Sequence, residues 1–347
     1  MAPNMFLTSG KMQTVYSVML LRKRDKYSNV EYERQEMTMS DGGLVSLDWY
    51  PGKPPSDAAE PTEISVRSYS LVNLKAMPIV IVLPGSMGSS VEYHIRCFAK
   101  SLCNGGISGC RLVVLNHRGY ARTPLRTVRA PAFHYTGDLD EIVQYLSKTF
   151  PGSPLGAIGY SMGANILTKY LGEQGKNSKL SAAVTICCPF DVTKLYNSLG
   201  QPTFFNNKVL QSNLTAAAAR FVRKNYDVLQ SGPRRYDLDS LLKARSLIEM
   251  DKLLTVPISG FASCEQYFRE SSSGPYVHKI TTPLLAINSK DDPMVPVDAI
   301  PEESFRDNPN TALILTNHGG HLGFFTGTSP RIWYIDPVVQ FFSKVLL

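Results

Sequence analysis

The chain has no run of about 18 consecutive apolar residues, so no segment reads as a membrane-spanning helix. Its best N-terminal candidate, Met12 to Leu21, is short and is interrupted by Gln13, Thr14 and Ser17. No small-residue cleavage site follows, so no secretory signal is expected. Cysteine is also scarce: there are six in 347 residues, with no CxxC, and Cys187 and Cys188 adjoin in an apolar run. That excludes a disulfide scaffold and predicts free thiols in a reducing compartment. Asn213-Leu214-Thr215 is then a glycosylation sequon without a secretory context. There is no internal repeat of 20–50 residues, no phosphate-cradling P-loop and no dinucleotide fingerprint. His134 and Asp138 have no third metal ligand at a usable spacing, so no cofactor and no metal are expected.

Charge is not lacking, but it is not concentrated. The formal net charge is +7, spread over Arg22-Lys23-Arg24 with Lys26, Arg118 to Arg129, and Arg220 to Arg235. No aromatic-interleaved RNA motif or zinc-finger spacing accompanies these clusters, which argues against a nucleic-acid partner. A solvated basic surface, or one attracted to anionic lipid headgroups, accounts for them. The basic residues flanking Met12 to Leu21 leave a peripheral membrane contact for residues 1–28, otherwise a surface-lying tail. The expected location is cytoplasmic or peripheral on an intracellular membrane.

Hydrophobic residues make up 43% and charged residues 19%, which excludes wholesale disorder and allows a large core. Met37 to Ser40 and Leu44 to Trp49 read as strands around Asp41-Gly42-Gly43. A polar loop, Pro51 to Thr62, follows. The centre then repeats a short apolar run, a glycine turn and an amphipathic helix. The runs are 79–83, 112–115, 157–158, 182–186, 284–287 and 312–315. Apolar strands without alternation belong to a sheet covered on both faces. Alternation of strand and helix makes that sheet mostly parallel. The stretch 190–276 breaks the rhythm, is helical in pattern (Leu214 to Val222, Leu238 to Met250) and is too long for a loop. It reads as a cap between two core segments, 29–189 and 277–347, over the sheet edge where such folds place their chemistry.

The chemistry centres on Gly159-Tyr160-Ser161-Met162-Gly163, which follows an apolar run and precedes a helix. This is the context of a nucleophile elbow, with glycines where side chains would clash and the serine exposed at a helix N-terminus. A serine hydroxyl needs a base. In the order serine, acid, histidine, the base comes from the loop after the last strand, where His321 is preferred over His318. The acid comes from the loop after the preceding strand, where Asp292, directly before Pro293, is preferred over Asp291. The oxyanion donors are backbone amides: that of Met162, and that of Ser86, with Met87 as the alternative, in the loop after Leu83. The polar groups of Asn116-His117-Arg118-Gly119 are expected to bind neighbouring loops rather than substrate.

The chain resembles the AB hydrolase 4 family, a branch of the α/β-hydrolase superfamily. The resemblance is carried by Ser40-Asp41-Gly42-Gly43, Leu47-Asp48-Trp49, Leu83 to Ser90, Asn116 to Gly119, Gly159 to Asn165, Tyr170 to Glu173, Asn288 to Pro293 and Gly319 to Phe324. It implies an α/β-hydrolase fold, a Ser161–Asp292–His321 triad, and hydrolysis of carboxylic esters. Acylglycerols, phospholipids or medium-chain esters are the implied substrates, and Asn308 to Phe325 leans towards glycerolipids. Two departures stand out: no convincing transmembrane anchor is visible, and Ser86-Met87 replaces the usual Leu-Thr of the oxyanion loop. Acyl transfer to an alcohol on the same triad, and a non-catalytic receptor for hydrophobic ligands, are the alternative readings.

Overall fold

The computed structural model describes residues 6–17, 30–53, 77–232, 236–328 and 330–347. The basic group Arg22 to Lys26, Arg234 and Arg235, and most of the polar loop after Pro51 lie outside the described residues.

An eight-stranded sheet organises the chain, in the order β1-β2-β4-β3-β5-β6-β7-β8. Its strands are β1 (Glu33–Thr38), β2 (Leu44–Tyr50), β3 (Ile79–Leu83), β4 (Arg111–Asn116), β5 (Leu155–Tyr160), β6 (Ala182–Ile186), β7 (Leu284–Ser289) and β8 (Thr311–Thr316). β2 is antiparallel to both of its neighbours; all pairs from β4 to β8 are parallel. Successive side chains of a strand point to opposite faces. Ile79, Ile81 and Leu83 accordingly enter one apolar core, while Val80 and Val82 enter the other. Both faces are dry, and the central strands therefore show no polar alternation.

Helices cover both faces: α2 (Tyr93–Ser101) and α13 (Ile335–Val345) on one, α3 (Gly137–Thr149) and α4 (Met162–Gln174) on the other. Between β6 and β7 the described residues form only helices: α5 (Val192–Leu199), α6 (Ser212–Lys224), α7 (Tyr226–Gln230), α8 (Leu238–Leu242), α9 (Leu247–Met250), α10 (Val256–Ser259) and α11 (Cys264–Ser271), with short irregular turns. α6 to α9 share a small core of their own around Phe221, Val222, Leu229, Leu241 and Leu254, while α5 and α11 pack into the main core. Buried Asn165 on α4 ties the end of this insertion down. Its Nδ2 donates to the carbonyls of Phe133 (3.1 Å) and Ser271 (2.8 Å), and its Oδ1 accepts from Ser273 N–H (3.2 Å).

Three local expectations change. The first strand starts earlier, at Glu33, because it is an edge strand of polar residues with no apolar alternation to reveal it. The helix expected over Leu238 to Met250 is two helices, because Ser246 caps α9 by accepting from Glu249 N–H. Within the stretch expected as a tail, Gly10–Val15 forms a helix, α1, with Gly10, Gln13 and Thr14 buried. It docks by hydrogen bonds rather than by an apolar stripe, so no hydrophobic period marks it. No described helix is long and apolar enough to cross a membrane.

Arg118 binds neighbouring loops, as the sequence suggests. Only 2% of its side chain is exposed; its Nη1 donates to Asp41 (2.7 Å) and its Nε and Nη2 to Asp138 (2.9 and 2.6 Å). Removing one partner of a fully buried ion pair costs about 3–5 kcal/mol. Asp41 and Asp138 keep 30% and 20% exposure and can be solvated in its absence. Arg118→Met should therefore cost somewhat less, roughly 2–3 kcal/mol in urea unfolding.

Candidate active site

Ser161 stands at the turn from β5 into α4 with φ 52° and ψ −115°, a conformation side chains rarely adopt. The turn is fixed from both sides: Ser161 N–H donates to Ile186 C=O at 2.9 Å, and Ser161 C=O accepts from Asn165 N–H at 3.0 Å. There is no room for a Cβ at either glycine. One on Gly159 would lie 2.4 Å from Gly163 O, and one on Gly163 would lie 2.3 Å from Leu83 O. The spacing of the two glycines about Ser161 is thus a steric requirement of the turn.

The loops after β7 and β8 bring the other two candidates to Ser161. His321 Nε2 lies 2.8 Å from Ser161 Oγ, and His321 Nδ1 lies 2.9 Å from Asp292 Oδ2. Asp292 is buried, and its Oδ1 accepts from Met294 N–H (2.8 Å) and Val295 N–H (3.1 Å). A carboxylate held this way keeps the Nδ1 proton of the imidazole, leaving Nε2 to accept from the serine hydroxyl. The two alternatives are placed elsewhere. Asp291 accepts from Gly10 N–H (2.9 Å) and from the Ser289 hydroxyl (2.6 Å). His318 is 48% exposed, with Nδ1 3.6 Å from Asp291.

The loop after β3 lies against the serine. A Cβ on Gly85 would sit 3.3 Å from Ser161 Cβ, and Ser86 and Met87 line the cavities that open on Ser161. Met162 begins α4, so its N–H is a first-turn amide without an intrahelical acceptor.

Two residues beside the site were not singled out from sequence. His94 is buried against Tyr160, and burial, followed by the charge of His321, pushes its pKa down to about 3. Cys187, read from the sequence as a buried or incidental thiol, is buried and directly follows β6, beneath the His321 loop. Its Sγ accepts from Leu322 N–H (3.2 Å) and donates to Gly320 C=O (3.6 Å). The position of Cys187 one residue after an apolar strand was the available signal. Cys187, Asp292 and His321 offer ligand atoms within 4.8 Å of one another, the one such group found among the described residues. Burial pushes the Cys187 thiol well above its ordinary value, so it stays protonated and is a poor metal ligand.

Two cavities meet at Ser161. One, of about 480 Å³, runs past His94, Tyr120, Leu214, Arg220 and Lys224. The other, of about 120 Å³, lies among Leu195, Leu199, Phe221, Leu241, Met250 and Leu254 of the helical insertion. Asp251 lines the smaller cavity beside the Tyr196 hydroxyl, which donates to it. Burial raises the Asp251 pKa from 3.8 to about 6. The folded state therefore holds a proton that the unfolded chain has lost, and stability falls as pH rises from about 4 to 6. Asp251→Asn should stabilise the protein at pH 8 by on the order of 2 kcal/mol, with the gain fading toward pH 4 in thermal melts at both pH values.

The chain is similar to known proteins in sequence and in fold. The α/β-hydrolase fold family matches residues 78–328. The human protein named phospholipase ABHD3 is 30% identical, over 99% of this chain and 78% of its own length. The monoacylglycerol lipase of Saccharomyces cerevisiae is also 30% identical, over 96% of this chain and 78% of its own. The esterase Pf2001 of Pyrococcus furiosus superposes with a TM-score of 0.56 at 16% identity, covering 93% of this chain and 96% of that one, a likeness of fold. The chain belongs to the α/β-hydrolase fold family, in its AB hydrolase 4 branch, and is an esterase/lipase-type hydrolase.

Proposed function

We propose that the protein is a serine hydrolase of carboxylic esters, acting through an acyl-enzyme on Ser161. The observation that carries this reading is the continuous hydrogen-bonded chain Ser161–His321–Asp292, at 2.8 and 2.9 Å, opening on apolar cavities. In the proposed reaction His321 Nε2 takes the hydroxyl proton as Ser161 Oγ bonds to the ester carbonyl carbon. The negative charge moves to the carbonyl oxygen, held by the N–H groups of Ser86 and Met162. As the intermediate collapses, the ester C–O bond breaks and His321 gives its proton to the departing alcohol. Water, activated by the same imidazole, then attacks the acyl-enzyme and releases the acid.

Glycerolipids or medium-chain esters are the proposed substrates. The names of the relatives, phospholipase and monoacylglycerol lipase, support this, and so does the division of the site. The small apolar cavity suits an acyl chain. The larger one, with Arg220 and Lys224 on its wall, suits the alcohol portion. In this reading residues 190–276 act as a cap that shapes the acyl site, and the N-terminal stretch meets lipid at the membrane surface.

A panel running from short nitrophenyl esters to monoacylglycerol and medium-chain phosphatidylcholine tests the proposal. Ser161→Ala should lose turnover by about 10³-fold or more, and fluorophosphonate labelling with it. Asp292→Asn should keep the fold and lose roughly 10⁴-fold in kcat, because the imidazole then rests in the wrong tautomer. A folded wild type that is neither labelled nor active on any ester would favour the receptor alternative.

A further inference from the structure

The helix α1 lies directly on the loop that carries His321. His321 N–H donates to Thr14 Oγ1 at 2.7 Å, and the Thr14 hydroxyl passes the chain on to Gly10 C=O at 2.7 Å. Phe325 N–H donates to Gln13 Oε1 at 2.7 Å, and Gly10 N–H donates to Asp291 Oδ2 at 2.9 Å. One short helix thus holds the histidine loop at His321 and at Phe325 and also holds the neighbour of Asp292.

The contact is built to the limit of backbone approach. A Cβ on Gly320 would lie 2.6 Å from Gly10 O and 2.7 Å from Thr14 N. One on Gly323 would lie 2.9 Å from Gln13 Cβ, and one on Gly10 would lie 1.9 Å from Asp291 O. The loop itself is contorted: Leu322 and Phe324 have φ of 64° and 50°. Such a backbone persists only when its surroundings over-determine it. From below it is held by Cys187, through Gly320 C=O and Leu322 N–H. The backbone N–H of His321, a buried residue, goes to Thr14.

We propose that α1 is a clamp on the histidine loop, with Thr14 and Gln13 as positioning residues that set the reach of His321 to Ser161. The proposal rests on the hydrolase reading above for its functional consequence. Thr14 and Gln13 act through the loop backbone. A misplacement of order 1 Å at such a group costs about 10²-fold in rate.

The full-length chain tests this with Thr14→Val, which keeps the shape and removes the acceptor, and Thr14→Ser, which keeps the hydroxyl. Two readouts are taken: peptide-resolved hydrogen exchange over 318–326, and kcat per fluorophosphonate-titratable site on a short nitrophenyl ester. Thr14→Val should speed exchange of the loop and lower kcat about ten- to a hundredfold, with KM on the short ester little changed. Thr14→Ser should restore both. A residue that only supported the fold would reduce the number of active sites and leave kcat per site untouched; that result overturns the proposal, as does loss in Thr14→Ser equal to that in Thr14→Val. If Thr14→Val does not fold, Gln13→Leu takes its place, since Gln13 Nε2 has no partner to lose among the described residues. It should change both readouts in the same direction, and wild-type values overturn the clamp. If the wild type is inert to label and esters, the hydrolase reading fails by itself. Exchange then decides the clamp: faster in the variant supports it, unchanged overturns it.

Discussion

The contact on which the arrangement depends is the approach of α4 to the ends of β3 and β5, with no space for one methyl group between them. Gly159 and Gly163 leave their backbones within van der Waals distance of each other and of Leu83. That closeness lifts Ser161 out of the sheet at φ 52°. It also brings the 84–88 loop beside the serine. A helix set further away would relax the turn, and the serine would lie down along the strand. The strain at Ser161 is sustained because β5 along its whole length, and α4 from Met162 to Gly172, are buried and cannot yield separately.

The elbow is rigid because it is part of the core; the histidine loop is not. It follows the edge strand β8, whose residues are only half covered, and so has no sheet neighbour beyond it to lean on. Its position is set instead by two small polar groups from distant parts of the chain, the Cys187 thiol beneath and the Thr14 hydroxyl above. Each satisfies a backbone group that would otherwise be buried without a partner, a cost of about 1–3 kcal/mol. Adjacent Asp291 and Asp292 divide the same task. Asp292 turns inward to the imidazole, and Asp291 turns outward to the N–H of Gly10.

What the sequence made legible follows this division between core and edge. The central strands were readable because both faces are dry, and runs such as Ile79 to Leu83 have no other use. The elbow was readable because its glycines are sterically compulsory. Ser161, His321 and Asp292 were readable from order along the chain, because each follows its own strand in a fold where strand ends meet at one edge. The start of the first strand, and α1, were not. Polar β1 is held by backbone pairing with β2 and by the ion pair Arg34–Asp48, and α1 is held by single hydrogen bonds. Hydrogen-bonded docking leaves no period in a sequence. The polar role of Cys187 was overlooked for a related reason: in an apolar run a cysteine looks like a small hydrophobe, and only the neighbouring backbone shows that its sulfur is used as a polar group.

The surroundings also decide which imidazole carries charge in the proposed reaction. His94 and His117 flank the serine side of the sheet edge, and burial drives both toward the neutral form. His117 Nε2 is 3.0 Å from Pro84 C=O, a contact in which the ring donates as a neutral group. Neither has a carboxylate within hydrogen-bonding distance among the described contacts; His321 has Asp292 at 2.9 Å. A proton leaving Ser161 therefore finds one ring on which a positive charge is offset by a fixed negative one in a dry setting, where that offset is strongest. Neighbouring His94, kept neutral, adds no repulsion to the imidazolium as it forms. In the proposed reaction, burial that silences two histidines and a carboxylate that serves the third give His321 the part of general base before any substrate arrives.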